Sequence, residues 1–250
     1  MSAVSADGTT RIHNCAKEPE IIWLCRFLKK MGAEIKGEGS GEILVRGGGR
    51  LKGGDMQVPP DRIVAGTYIC AAAATRGKIE IQNPPEGELG AFLEVYRKMG
   101  GQCHRIGGKL IVNGKNAGFP LELLETDVYP GFPTDLQSPA MAVLATIPGV
   151  SRIREKIFED RYKLASWLCY MGAKIEIRDG IAVIHGGYPL KGCTVEAEEL
   201  RGGAALVIAA LAAEGVTRIR GCSFIERGYE HICEDLTALG GLLIKDRGTL

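Results

Sequence analysis

The sequence lacks an excess of either charge, because its 250 residues include 31 basic and 30 acidic side chains. Without a net field the composition favours neither nucleic acid nor an anionic membrane as a partner, so a few placed residues must hold any anionic ligand. The sequence also lacks a signal peptide, and no apolar run approaches the roughly 18–20 residues that span a bilayer. These features predict a soluble cytoplasmic protein.

Metal-binding and catalytic signatures are scarce as well. The eight cysteines include no Cys-x-x-Cys pair and no nearby pair of histidines, which argues against a zinc site and against a disulfide scaffold. Cys25, Cys70 and Cys169 lie among apolar neighbours and are predicted to be buried thiols. No Ser/His/Asp arrangement, P-loop or dinucleotide fingerprint is present, and we expect neither a metal nor a cofactor.

The sequence does contain two phrases that return at a period of about 70 residues. Predicted helices end in Met-Gly or Leu-Gly pairs that begin at residues 31, 99, 171 and 239. A glycine followed by a short run ending in isoleucine recurs from residues 8, 77, 149 and 215. The phrases indicate a tandem of α/β units, each predicted to follow the order β-α-β-α-β-β.

The ends of the chain look incomplete against this plan. In the second unit an extended segment at residues 56–58 precedes Asp61, which stands at the N-cap position of an Ala-rich helix. The first unit lacks its opening strand and most of its first helix, and the last unit ends after a predicted strand at residues 242–245. Because unpaired sheet edges are unfavourable, we expect a longer parent or a second chain to supply the missing pieces.

Three arginines break a local rule for helices. The first turn of a helix favours acidic residues, yet Arg161, Arg201 and Arg227 stand near predicted helix starts in the last two units. Helix N-termini are also natural phosphate sites. The neighbours that would neutralise the three arginines at the surface are Glu159, Asp160, Glu199 and Glu226. The residues alone favour this surface neutralisation over anion binding.

Asp135 poses the same choice between structure and chemistry. It precedes an Ala-rich run that begins at Ala140, at the place that Asp61 occupies in the unit before. On physical grounds alone, both aspartates are predicted to be helix caps.

Several separated motifs occur together in the order found in one enzyme family. They are Asn-Cys-Ala-Lys-Glu-Pro-Glu-Ile at residues 14–21, Pro-Asp-Arg-Ile at 60–63, Pro-Gly-Phe-Pro-Thr-Asp-Leu-Gln at 130–137, Ile-Phe-Glu-Asp-Arg at 157–161, Glu-Leu-Arg at 199–201 and Glu-Arg-Gly-Tyr-Glu at 226–230. With them the whole chain resembles the UDP-N-acetylglucosamine 1-carboxyvinyltransferase family of enolpyruvyl transferases. The resemblance implies two lobes, each an inside-out α/β barrel of three β-α-β-α-β-β units, with the active site between them. Residues 1–58 then match the last, incomplete unit of one lobe, and residues 59–250 match the other lobe without its closing strand.

The resemblance also implies a reaction. Enzymes of this family transfer the enolpyruvyl group of phosphoenolpyruvate to the 3-hydroxyl of UDP-N-acetylglucosamine and release phosphate, which makes the first committed precursor of bacterial peptidoglycan. Asp135 matches the aspartate that contacts the sugar hydroxyl and acts as general base, a role suited to a carboxylate in a closed cleft. Ile157 matches a sugar-nucleotide contact. Arg161, Arg201 and Arg227 match cleft arginines that hold anionic groups, with Arg227 at the phosphoenolpyruvate end.

The sequence departs from the family pattern at several points. Glu199 stands where the family usually has aspartate, and Asp160 where it usually has asparagine. The mobile loop with its reactive cysteine and the N-terminal lysine–asparagine pair are absent, so the chain alone is predicted to be inactive or nearly so. Two alternatives stay open: a non-catalytic UDP-sugar-binding relative or subunit, and an enolpyruvyl transferase that acts on shikimate 3-phosphate.

Overall fold

The computed structural model describes residues 1–85 and 87–245, so Glu86 and the last residues of the predicted second lobe lie outside it. The chain divides into two compact units. The smaller unit is Met1–Pro60 with Val128–Gly131, and the larger is Asp61–Asp127 with the described residues from Phe132 onward. This division falls close to the expected boundary after residue 58, whereas the assignment of the units to lobes of a longer enzyme stays a prediction.

The smaller unit is an antiparallel three-stranded sheet with an amphipathic helix. Its elements are α1 (Ser2–Ser5), β1 (Thr9–His13), α2 (Pro19–Lys30), β2 (Glu34–Lys36) and β3 (Glu42–Arg46). The strand order is β1-β3-β2, with Thr9 opposite Arg46. Cys25 and Leu28 of α2 lie in one buried cluster with Ile35, Ile43 and Val45 of the strands. This cluster is the core of the smaller unit.

The larger unit also consists of strands and helices, and three of its helices lie at its centre. Its elements are α3 (Arg62–Ala74), β4 (Lys78–Gln82), α4 (Gly90–Lys98), β5 (Gln102–Ile106), β6 (Lys109–Asn113), β7 (Leu124–Glu125), α5 (Gln137–Ala145), β8 (Gly149–Arg154), α6 (Lys163–Tyr170), β9 (Lys174–Arg178), β10 (Ile181–Gly186), β11 (Thr194–Glu196), α7 (Leu200–Ala212), β12 (Arg218–Arg220), α8 (Cys222–Glu226) and α9 (Ile232–Ala238). The sheets have the orders β4-β6-β5, β7-β8-β10-β9 and β11-β12.

Helices α3, α5 and α7 pack against one another and carry the core of the larger unit. All nine residues of α5 are buried, as expected for a helix that is apolar all round. Small residues permit the close packing, because a Cβ added to Gly66 would lie only 2.5 Å from Cδ1 of Leu136. The sheets pack on the outside of these helices and expose alternate residues. The expected inside-out α/β arrangement is therefore confirmed.

Four helices end at the predicted Met-Gly and Leu-Gly pairs. The first glycine after α2, α4, α6 and α9 has φ between +92° and +104°, a conformation that glycine adopts without strain. In each case its N–H donates to the carbonyl three residues earlier, and the next N–H donates to the carbonyl five residues earlier. Within the described part of the chain, no helix is long and apolar enough to cross a membrane.

Two predicted strands do not form. Residues 56–58 are not in a strand, and Val58 is exposed. In the last two repeat units the opening strand pairs in parallel with the strand that follows the first helix: β7 pairs with β8, and β11 pairs with β12. The strand β4 has only β6 as a described neighbour, and the prolines that follow residue 58 have no N–H group to donate to it. Residues 242–245 also form no strand, and no described strand pairs with them. Within the described residues the complete six-element plan is thus found once, from β7 to β10.

The cysteine prediction is correct at two of three positions. Cys25 and Cys70 are buried, and burial raises the pKa of both thiols. Cys169 is exposed, because α6 turns Leu164 and Leu168 toward the core and leaves Cys169 on the outer face. All eight cysteines lie within the described residues and are free.

Candidate active site

Asp135 lies directly before α5, but its side chain does not cap that helix. It belongs to the 3-10 turn Thr134–Leu136, and no described side chain caps either the turn or α5. Asp61, by contrast, accepts hydrogen bonds from the N–H groups of Ile63 at 2.7 Å and Val64 at 3.0 Å. The cap prediction is therefore confirmed for Asp61 and wrong for Asp135.

The carboxylate of Asp135 instead binds two arginines. Nη2 of Arg161 donates to Oδ1 at 2.9 Å, and Nη2 of Arg201 donates to Oδ2 at 3.1 Å. The Arg161 and Arg201 side chains are only 21% and 14% exposed, whereas that of Asp135 is 39% exposed. Each carboxylate oxygen thus has its own charge-assisted hydrogen bond, while one side of the carboxylate stays open to solvent. We call Asp135, Arg161 and Arg201 the Asp135 cluster.

The acidic neighbours do not neutralise the three arginines, so that explanation is wrong. Three of these carboxylates have other partners: Asp160 pairs with Lys163, Glu199 accepts the N–H groups of Arg201 and Gly202 as N-cap of α7, and Glu226 pairs with Lys245. Glu159 has no hydrogen bond or ion pair to any described residue. The charge partner of both Arg161 and Arg201 is therefore Asp135 and not one of these acidic neighbours.

Of the three arginines predicted to stand near helix starts, only Arg201 lies in the first turn of a helix, which is α7. Arg161 comes before the N-cap of α6. Arg227 is the C-cap of α8, because the predicted second helix of the last unit is split into α8 and α9, and a cation is favourable at a helix C-terminus. It is exposed and has no hydrogen bond or ion pair to any residue that the structure describes. Its role at the phosphoenolpyruvate end stays a prediction.

Ile157 lies in the connection between β8 and α6. It is half-buried, and its N–H donates to Oε1 of Glu155 at 2.8 Å. The structure thus explains how its backbone is held, and its contact with a sugar nucleotide stays a prediction.

Sequence reasoning missed Tyr229, which contacts the Asp135 cluster from the connection between α8 and α9. Its hydroxyl lies 3.1 Å from Nη1 of Arg201 and 2.9 Å from Oγ1 of Thr67. Burial raises the pKa of Tyr229, so the hydroxyl keeps its proton at neutral pH. Burial alone would lower the pKa of Arg201, but Tyr229 and Asp135 more than offset this effect and raise it. The signal lay in the motif at residues 226–230, where only the arginine was considered.

Glu155 is a second residue that the sequence reasoning missed. Its Oε1 accepts hydrogen bonds from Oγ1 of Thr126 at 2.8 Å and from the N–H of Ile157, and its Oε2 accepts from Oγ1 of Thr134 at 2.9 Å. Because Thr134 precedes Asp135 in the chain, Glu155 ties the turn that carries Asp135 to the loop that carries Arg161.

A departure from the repeat could have revealed Glu155. The residues that directly follow β1, β4 and β12 are Asn14, Asn83 and Gly221, and all three have positive φ. Asparagine and glycine are the residues that favour this conformation. After β8 the corresponding residue is Glu155, which has no positive φ, and a longer connection leads from it to α6. The loop that builds the site is therefore the place where the repeat is broken.

The electrostatics of the site favour an anionic ligand. Asp135 lies before α5 and is hydrogen-bonded to Arg201 in the first turn of α7, so the positive ends of these two helix dipoles lie near the site. A cavity of about 320 Å³ lies beside Arg161 and Glu199, and another of about 730 Å³ lies beside Arg161 and Glu155. Asp135 and Arg227 line neither of these two cavities, so a hollow shared by the two residues stays a prediction.

Comparison of sequences points to one family. A family model described as EPSP synthase (3-phosphoshikimate 1-carboxyvinyltransferase) matches residues 1–236. A curated relative from Ruegeria pomeroyi, named UDP-N-acetylglucosamine 1-carboxyvinyltransferase, is 41% identical over 248 residues, covering 99% of this chain and 59% of the relative. A relative of the same name from Thermus thermophilus is 43% identical over 242 residues, covering 96% of this chain and 56% of the relative. The chain thus spans well under two thirds of the length of these relatives.

Comparison of structures points to the same architecture. The enolpyruvyl transferase NikO from Streptomyces tendae matches with a TM-score of 0.83 and 27% sequence identity, covering 97% of this chain and 57% of NikO. EPSP synthase from Acinetobacter baumannii matches with a TM-score of 0.72 and 22% identity, covering 98% of this chain and 59% of that protein. The second likeness shows the fold alone.

Proposed function

Because the chain belongs to the EPSP synthase (3-phosphoshikimate 1-carboxyvinyltransferase) family of enolpyruvyl transferases, we propose that its site serves enolpyruvyl transfer from phosphoenolpyruvate to the 3-hydroxyl of UDP-N-acetylglucosamine. The main support for this proposal is the position of the Asp135 carboxylate between Arg161 and Arg201. A base beside two cations suits a reaction that joins two anionic substrates. The relatives at 41% and 43% identity are named for UDP-N-acetylglucosamine, which supports this acceptor over shikimate 3-phosphate.

In this proposal Asp135 takes the proton of the acceptor hydroxyl. The hydroxyl oxygen forms a bond to the enolpyruvyl carbon, the bond from that carbon to the phosphate oxygen breaks, and phosphate leaves. Arg161 and Arg201 balance the charges of the diphosphate, carboxylate or phosphate groups brought by the substrates. Each oxygen of Asp135 accepts one hydrogen bond from an arginine, and an ionised carboxylate has about four acceptor sites, so the side of Asp135 that is open to solvent can still accept the proton of the acceptor hydroxyl.

The departures at Glu199 and Asp160 do not dismantle the site. Glu199 caps α7 through the backbone, and Asp160 lies in a left-handed turn with φ of 54° and pairs with Lys163. Neither residue has a hydrogen bond to the side chain of Arg161 or Arg201 in the described part of the chain. The two departures therefore give no reason to favour a non-catalytic relative.

Titration calorimetry with each acceptor tests the proposal. We expect the 250-residue chain to bind UDP-N-acetylglucosamine and not shikimate 3-phosphate. Preference for shikimate 3-phosphate would make that compound the acceptor instead of UDP-N-acetylglucosamine. Binding of neither compound would contradict the proposal. A phosphate-release assay with phosphoenolpyruvate and UDP-N-acetylglucosamine tests the expected inactivity of the chain alone, which turnover of about 1 per second, typical of enzymes, would overturn.

The remaining expectations stay predictions. They are the role in peptidoglycan synthesis, the cytoplasmic location, the absence of nucleic-acid and membrane partners, and the need for a missing portion or a second chain. Addition of a relative's N-terminal portion to this chain, followed by the same phosphate-release assay, tests the last of them.

A further inference from the structure

We propose that Tyr229 is a positioning residue, whose buried hydroxyl fixes the guanidinium of Arg201 so that one arm binds Tyr229 while the other reaches Asp135. This inference deepens the proposed function and rests on it for the identity of the ligand. The geometry of Arg201 that it explains can be measured without that ligand.

The contacts form a continuous chain across four segments of the larger unit, namely α3, the connection between α8 and α9, α7 and the turn before α5. Thr67 on α3 lies 2.9 Å from the hydroxyl of Tyr229, and that hydroxyl lies 3.1 Å from Nη1 of Arg201. Nη2 of Arg201 then lies 3.1 Å from Oδ2 of Asp135. Thr67 and Tyr229 are each only 2% exposed, so water does not compete for the Tyr229 hydroxyl.

The direction of each hydrogen bond in this chain follows from counting protons. Oγ1 of Thr67 donates its single proton to the carbonyl of Ile63 at 2.9 Å. Tyr229 must therefore donate to Thr67, and its oxygen is left to accept from Nη1 of Arg201, which has protons only to donate. The Tyr229 hydroxyl thus donates one hydrogen bond, to Thr67, and accepts one, from Arg201. Phenylalanine could form neither bond.

The shape of arginine turns this single contact into control of orientation. The guanidinium is planar and rigid, so fixing Nη1 on Tyr229 also fixes the direction of Nη2 toward Asp135. The ring of Tyr229 packs near the same group, with its centroid 5.5 Å from Cζ of Arg201. An arginine held in this way loses less conformational freedom when an anionic ligand binds, which favours affinity.

The experiment compares Tyr229→Phe with the matched variant Tyr68→Phe. Tyr68 also belongs to the larger unit, and its hydroxyl donates to Asp235 at 2.7 Å and has no hydrogen bond to any described residue of the Asp135 cluster. Calorimetry with UDP-N-acetylglucosamine and with inorganic pyrophosphate measures affinity, and NMR of the side-chain nitrogens of Arg201 in the ligand-free chain measures its rotation. We expect Tyr229→Phe to weaken both ligands by about 3- to 10-fold and to average the Arg201 signals, as loss of a hydrogen bond to a charged group should. Tyr68→Phe should leave affinity and signals unchanged.

A second background separates positioning from a general structural effect. If Tyr229 acts through Arg201, then Tyr229→Phe should have no further effect on affinity in an Arg201→Lys chain. An equal loss in that background, or unchanged affinity and unchanged Arg201 signals in Tyr229→Phe, would overturn the proposal. If Tyr229→Phe does not fold, the ligand-free original chain decides: resolved signals of the Arg201 side-chain nitrogens are expected, and averaged signals would overturn the proposal. Failure of the original chain to bind UDP-N-acetylglucosamine would instead contradict the proposed function, while pyrophosphate and the Arg201 signals still decide the role of Tyr229.

Discussion

Nη2 of Arg201 lies 3.1 Å from Oδ2 of Asp135, although 66 residues separate the two in the chain. The contact exists because α5 and α7 pack side by side at the centre of the larger unit. Arg161, 26 residues from Asp135, reaches the other carboxylate oxygen from the loop after β8. Asp135 therefore occupies the position between two cations that an anionic ligand would also favour.

Asp135→Asn is expected to tighten the binding of inorganic pyrophosphate by about 3- to 10-fold, because Arg161 and Arg201 would no longer be shared with a carboxylate. Calorimetry at fixed ionic strength measures the change. Asp127→Asn is the matched control, since it removes the same charge from an exposed pair with Lys156 at 2.8 Å. Weaker binding in Asp135→Asn, or an equal gain in both variants, would contradict competition between Asp135 and the anion.

Glu155→Gln is expected to lower the free energy of unfolding by about 1.5–3 kcal/mol, because a carboxylate that accepts several hydrogen bonds would become an amide with one acceptor oxygen. Urea denaturation followed by circular dichroism measures the loss. Glu125→Gln is the control, because the exposed pair of Glu125 with Arg154 at 3.0 Å should contribute about 1 kcal/mol or less. Similar losses in the two variants would show that Glu155 does not hold the two site segments together.

Gly66→Ala is expected to destabilise the chain by about 1–3 kcal/mol through overpacking. The added methyl group would lie 2.5 Å from Cδ1 of Leu136, the residue after Asp135. Thermal unfolding is the measurement, with Gly90→Ala in α4 as control, because a Cβ at Gly90 meets nothing within 4 Å. The control should lose no stability, because Gly90 is the first residue of α4 and has open space around it, and a stabilised Gly66→Ala would refute the close packing of α3 on the Asp135 turn.

Local patterns predicted the elements whose causes are local. The four glycine pairs end helices through hydrogen bonds that span only a few residues, and Asp61 caps α3 through neighbours two and three residues away. Strand formation at residues 56–58 and 242–245 depends on a partner strand, which no neighbouring residue specifies.

The same contrast explains the site. Asp61 and Asp135 look alike in the sequence, and what distinguishes them is the approach of two distant arginines to Asp135. Local charge rules gave the wrong partners for Arg161 and Arg201, whereas the family resemblance selected both residues for the site without explaining how they meet. Tyr229 was missed because an aromatic residue after a glycine gives no local sign of a distant hydroxyl partner such as Thr67.

The chain of contacts from Thr67 through Tyr229 and Arg201 to Asp135 takes side chains from segments that lie far apart along the polypeptide. Such an arrangement cannot survive the detachment of any one inner helix, so ligand recognition and cooperative folding of the larger unit are thermodynamically linked. An anion that engages Arg161 and Arg201 should raise the melting temperature of the entire larger unit, because it binds only the assembled form.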